Sequence, residues 1–298
     1  MRAFAAFFAL ILLGLAGIAA LSYPAWLLLS PHFDFPFHRI ASRIGMFIVL
    51  IGFVLVARRL ELADRRSLGY GLPFRKFMGE CGLGLLLGVA TMLPVIAAMF
   101  LLQLRVLRPD VSFAFGTLAR IALQGIISGI AVSLIEETFL RGAMHSGIRR
   151  EASVLTTIML TSLVFAALHF IGRYHIDAAN VGPSSGLDML AGTFAQLQDP
   201  LRIADAFICL CGVGVLLGMV REITGNIAAC IGLHAGWVWI ITFVRETSQP
   251  DEHQPLAWLL SRFDGVVGWL VLGWIVVLGL WLWRFYQRRA SARCAPLH

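Results

Sequence analysis

Long apolar runs, separated by short joints that carry arginine, dominate this chain. A helix crossing a hydrocarbon core about 30 Å thick needs about 20 mainly apolar residues. On that measure the pattern predicts eight spans: 4–29, 40–57, 81–104, 116–144, 152–171, 203–220, 226–244 and 266–286. Arg39 and Arg43 crowd the start of the second. The first run exceeds the roughly 7–15-residue apolar region of a signal peptide and reads as a retained helix. The longest connection, 172–202, reads as a polar loop with Gly-Pro-Ser-Ser-Gly at 182–186, facing outward. No internal repeat, low-complexity tract or second soluble domain interrupts the pattern. The expected fold is therefore all-α: a polytopic membrane bundle of about eight helices, one integral domain over 1–298, with a motif-bearing core at about 116–245.

Composition agrees. Hydrophobic residues make up 59% of the 298 and charged ones 14%, whereas soluble domains carry about 25% charged residues. The net charge of +7 does not point to nucleic acid, because the arginines flank apolar runs and form no basic stripe. Such arginines set topology and meet anionic lipid. Their distribution favours an N-in, C-in arrangement. The five cysteines show no metal-finger spacing and read as small buried apolar residues.

Three polar features break the apolar runs. The first is Ile135-Glu136-Glu137-Thr138-Phe139-Leu140-Arg141. An ionised side chain in hydrocarbon costs roughly 2.5–3.5 kcal/mol on insertion scales, so it is rare there and usually functional. Glu137 and Arg141 stand i, i+4, the favourable order for an ion pair. Glu136 points about 100° away and is left for another task. The plainer reading is a charged helix end at the interface with Arg141 snorkelling. The second feature is Phe165-Ala-Ala-Leu-His169, whose aromatic ring and imidazole share a face. The third is Gly232-Leu-His234-Ala-Gly-Trp237, where small residues permit close helix packing beside a histidine that needs a partner. Taken singly, either histidine reads more readily as structural.

Depth joins the three. At about 1.5 Å per residue, Glu136 lies about 15 Å above a turn near 146–151, His169 about 25 Å up the next helix and His234 about 12 Å deep. With ordinary tilts they can line one cavity. A carboxylate and a histidine in a dry cavity can deprotonate water for attack on a carbonyl, and a second histidine can donate to the developing oxyanion. Hydrolysis of a membrane-embedded peptide bond fits these parts. The same Glu136, His169 and His234 can also be read as a His2Glu zinc site, although no His-Glu-x-x-His pair is present. A proton-coupled carrier is a further reading, with no inverted repeat to support it.

Glu-Glu-x-x-x-Arg, Phe-x-x-x-His and a later histidine in Gly-Leu-His-Ala-Gly-Trp together resemble the motifs of the CPBP family, the CAAX prenyl proteases and bacteriocin-processing enzymes, between Ser133 and Trp239. The resemblance implies a glutamate-type intramembrane endopeptidase with no metal or other cofactor. Its partners would be the lipid bilayer and a membrane-bound peptide or protein substrate, with no nucleic acid. Glu136 and His169 would activate water, Glu137 and Arg141 would hold the geometry with Phe165 beside them, and His234 would face the scissile carbonyl. One position departs: the family usually has Asn or Asp four residues after the last histidine, where this chain has Val238. Either a backbone amide, Asn226 or Trp239 would then supply the second contact, or the oxyanion site would be weaker. The resemblance also admits a non-catalytic relative acting in bacteriocin immunity or peptide binding. The strong preference for Arg over Lys suits a bacterial source, and hence the inner membrane.

Overall fold

The computed structural model describes residues 1–33, 35–170, 174, 176–195 and 200–294. Each predicted span corresponds to a helix: α1 (Arg2–Leu29), α2 (Phe37–Arg59), α3 (Phe74–Leu101), α4 (Phe115–Glu137), α6 (Val154–Leu168), α8 (Pro200–Thr224), α9 (Ala228–Thr247) and α10 (Trp269–Cys294). Six of these are long and apolar enough to cross a membrane, whereas α6 and the apolar part of α10 are shorter. The protein is thus a multi-pass helical membrane protein. The end of the fifth predicted span, at 171, and parts of the 172–202 connection lie outside the described residues.

Three local features differ from the pattern-based reading. The fourth span does not stop at 144, because α4 continues through a π-helical segment, Thr138–Met144, into α5 (His145–Arg149). Wide π turns have no signature in hydrophobic spacing and often mark functional positions. The 172–202 connection is not all loop: α7 (Ser185–Ala195) packs against α1, with Gly186 admitting the α1 backbone at the Ala19 carbonyl. A two-stranded antiparallel ladder, β1 (Arg105–Leu107) with β2 (Ser248–Pro250), ties together the loops that follow α3 and α9. Arg105 is buried at that ladder. It donates to the Ser248 hydroxyl at 2.9 Å, to the Ser248 carbonyl at 2.6 Å and to the Gly265 carbonyl. Burial pulls its pKa down to about 10, with Asp264 opposing, so it stays charged near neutrality.

The bundle is organised around α9, held between α3 and α4. Lipid offers no hydrophobic incentive for helices to associate, so close packing of small residues has to supply it. Gly84 and Gly88 of α3 face Gly232 and Gly236 of α9, and a Cβ added to Gly88 would sit 2.6 Å from the Leu233 carbonyl oxygen. On its other side α9 meets Gly125 and Gly129 of α4, where a Cβ on Gly129 would come 2.7 Å from the Ala235 carbonyl. Large apolar side chains such as Leu86, Leu123 and Trp281 project outward instead. That is the inverse of a soluble bundle, and it suits a lipid solvent.

Gly88→Leu should therefore force α3 and α9 apart, because the obstacle is backbone. Overpacking of this kind costs about 1–3 kcal/mol, so thermal unfolding in detergent should shift down by several degrees. Gly79→Ala on the same helix, where a Cβ meets nothing within 4 Å, should unfold like the parent.

Candidate active site

The π-helical segment is in reach of two other elements, the α2–α3 loop and α8. Its first residue, Thr138, turns its hydroxyl back to the Leu134 carbonyl at 2.6 Å and meets the Tyr70 hydroxyl at 2.5 Å. Gly142 brings the segment against the Leu68 carbonyl, 2.7 Å from where a Cβ would be. The Arg141 carbonyl accepts from Arg221 Nε of α8 at 3.0 Å. The widened turn is thus braced by the α2–α3 loop on one side and by α8 on the other.

Inside this brace lies a desolvated ionic cluster. Arg141 Nη1 lies 3.1 Å from Glu137 Oε1, and both side chains are fully buried. The pairing read from i, i+4 spacing is present, and burial rather than interface exposure is its setting. Arg141 Nη2 also donates to the Gly214 carbonyl of α8 at 3.2 Å, which ties α4 to α8. Gly214 is itself pressed on α6, where a Cβ would lie 2.8 Å from Ser162 Cβ. The Arg141 guanidinium stacks 4.6 Å over the Phe165 ring, a contact that lowers the cost of burying the cation.

His234 joins the same carboxylate. Its Nδ1 is 2.9 Å from Glu137 Oε1, so one oxygen serves both the arginine and the imidazole. Sequence reasoning missed this bond: axial depth places a histidine at the right height but does not fix its direction around the helix. The Phe165 ring stands edge-on to His234 at 5.8 Å and 4.5 Å from the His169 ring. His169 Nδ1 bonds the Phe165 carbonyl at 2.8 Å, which orients the imidazole at the C-terminal end of α6. Phe165 is accordingly the common neighbour of both histidines and Arg141.

Glu136 is half-buried beside this cluster, and its Oε2 is enclosed with no hydrogen-bond partner among the described residues. Val238 is partly buried one turn beyond His234. Of the alternative donors considered for that position, Asn226 is engaged at the start of α9. It donates to Glu80 at 2.9 Å and accepts from the Ala228 amide at 2.8 Å. The Trp239 side chain lies against Gly125 of α4. Among the described residues no three His, Cys, Asp or Glu side chains converge as a metal-ligand set.

Helices that enclose a carboxylate, an arginine and two histidines at the junction of α4, α6, α8 and α9 define a membrane protein with a polar cluster inside its bundle. Residues 118–240 match the family model described as type II CAAX prenyl endopeptidase Rce1-like, a stretch that holds every residue of the cluster. Over this stretch the chain is similar to the CAAX-protease family, and the resemblance carried by its motifs rests on the same residues. The match supports a membrane endopeptidase acting on peptide substrates. No curated protein and no solved structure matches it.

The cluster's stability role is separable from chemistry. Arg141→Ala leaves Glu137 buried without its cation, a loss of about 3–5 kcal/mol for a broken buried pair. Chemical or thermal unfolding in detergent should report that loss. In a Glu137→Gln background the same substitution should cost markedly less, since residues that share one interaction are non-additive.

Proposed function

We propose that the protein is a glutamate-type intramembrane endopeptidase of the bacterial inner membrane, cutting a membrane-embedded or lipid-attached peptide without a metal. The chain lies N-in and C-in as one integral domain. Glu136 acts as general base on a water shared with His169. One observation carries the reading: of two adjacent carboxylates, only one is held by protein groups. Each keeps a buried Oε2 without a partner among the described residues, but Glu137 Oε1 is bound by Arg141 and His234, whereas no such bond holds Glu136 there. The first is committed to structure, and the second is available to bind and deprotonate a water.

In this mechanism Glu136 takes the proton as the water oxygen attacks the scissile carbonyl carbon, and the carbonyl oxygen becomes an oxyanion. The same proton is then delivered to the leaving amine as the C–N bond breaks. His169, its Nδ1 fixed by the Phe165 carbonyl, offers Nε2 to the water. His234 has its Nδ1 committed to Glu137, so Nε2 is the nitrogen left for substrate. A proton carried on that nitrogen donates to the oxyanion. Glu137 thereby positions the ring as well as holding the helix. Arg141 and Phe165 act through Glu137 and the histidines rather than on substrate.

Release of a fluorescent fragment from a membrane-anchored peptide substrate would test the assignment. Glu136→Gln should lower the rate by at least about 10²-fold, within the range of a general base, while unfolding like the parent. His169→Ala should lose a similar factor, and the double variant should be little worse than either, because the two act on one water. Full activity in Glu136→Gln would overturn the glutamate mechanism.

Val238 gives a second handle. Val238→Asn places an amide one turn from His234, on its face of α9. A missing oxyanion donor is worth roughly 10²–10³ in rate, so the variant should cleave faster than or as fast as the parent. A clear loss would mean that packing closes this position and that the second donor comes from elsewhere. Reversible inhibition by chelators with rescue by zinc would transfer Glu136, His169 and His234 to the metalloprotease reading.

A further inference from the structure

A second polar cavity, of about 360 Å³, opens away from the catalytic cluster at the other end of the π-helical segment. Its walls come from α5, the last turn of α8 and the loop between α2 and α3. Arg149 and Arg221 lie near the ends of two apolar spans, Phe115–Arg149 and Pro200–Thr224, and Arg66 lies in the connecting loop. The cavity therefore sits at the membrane surface, on the side that carries the N-terminus, where the terminal amine pairs with Glu151.

Its charge is unbalanced. Arg66, Arg149 and Arg221 line it against one carboxylate, Glu222. That carboxylate is already occupied: Oε1 bonds His145 Nε2 and Arg149 Nε, each at 2.8 Å. Arg221 is 9% exposed and donates to the Arg141 carbonyl and, at 3.4 Å, to the Ser146 hydroxyl. No carboxylate pairs with it among the described residues. His145, 2% exposed on the cavity wall, has its Nδ1 buried without a hydrogen-bond partner among the described residues. Buried cations are normally paired, so a largely buried arginine facing a polar cavity without a counter-ion calls for an anion.

We propose that this cavity binds a phosphate group, carried by an anionic phospholipid or free in solution. Guanidinium forks match phosphate oxygens through paired, charge-assisted hydrogen bonds. Basic pockets between helices at the membrane surface are positioned for lipid phosphates. Arg221 and Arg149 supply the charge, Arg66 closes the exposed rim and the Ser146 hydroxyl adds a neutral contact. Because Arg221 also holds the Arg141 carbonyl, an anion seated here would steady the π turn that carries the catalytic cluster.

The test uses the full-length protein in an uncharged detergent, with its thermal midpoint titrated against four probes: dihexanoyl phosphatidylglycerol, dihexanoyl phosphatidylcholine, inorganic phosphate and acetate. Phosphatidylglycerol should raise the midpoint, and phosphatidylcholine, with no net charge, should not. Arg149→Gln and Arg66→Gln should each weaken the apparent affinity by about tenfold, the loss of one charge-assisted contact. Arg39→Gln, remote from the cavity, should leave it unchanged. These two variants carry the test because Arg221→Gln also removes a brace of the fold. A rise with inorganic phosphate, lost in the same variants, assigns the site to free phosphate. A rise with phosphatidylglycerol alone assigns it to lipid, and either result supports the proposal. It is overturned if no anion raises the midpoint, if both variants respond like the parent, or if acetate protects as well as the phosphate probes.

Discussion

Everything at the centre of this bundle turns on one oxygen atom, Glu137 Oε1. It accepts from Arg141 at 3.1 Å and lies 2.9 Å from His234 Nδ1, with the carboxylate and guanidinium wholly withdrawn from solvent. A lone carboxylate or guanidinium there would be costly, and a pair breaks even only when geometry and extra hydrogen bonds are good. Here the extra bonds come from other helices: the Gly214 carbonyl of α8, the imidazole of α9 and the Phe165 ring of α6. The charge cluster gains these contacts only when four helices are assembled, so it specifies the assembly as much as it stabilises it. The π segment that follows Glu137 serves the same end, exposing backbone that the α2–α3 loop and Arg221 then engage.

Glycine lets these helices come close enough. α9 carries His234 between two backbone-to-backbone contacts, with α3 at Gly84 and Gly88 and with α4 at Gly125 and Gly129. The histidine is thus fixed by main chain on both flanks rather than by flexible side chains. A site built this way has little freedom to drift, which suits chemistry that depends on sub-ångström placement.

Much of this was legible from residues alone, and the remainder was hidden for physical reasons. Apolar run length gave the helices because the hydrocarbon core imposes it. The Glu137–Arg141 pairing followed from local spacing, which holds even where the helix widens. The small residues around His234 announced close packing, and the matching pairs Gly84/Gly88 and Gly125/Gly129 carried the same signal unused. The His234–Glu137 bond was not legible, because it depends on rotation about a helix axis and on which neighbours α9 has. The π segment leaves no periodic trace. Helix α7 sat in a stretch whose Gly-Pro-Ser-Ser-Gly start reads as turn, and its partner α1 is more than 150 residues earlier in sequence.

Helix α6 is 15 residues long, which at about 1.5 Å per residue gives about 22 Å. A hydrocarbon core is about 30 Å thick, and a span that falls short is met by local thinning of the bilayer. By that principle the bilayer thins beside the helix that ends at His169. A hydrolase in a membrane is limited by its supply of water as much as by its catalytic groups. Under the proposed mechanism the short helix draws the aqueous phase towards the residues that consume it, so access for the second substrate is built into the length of a single segment.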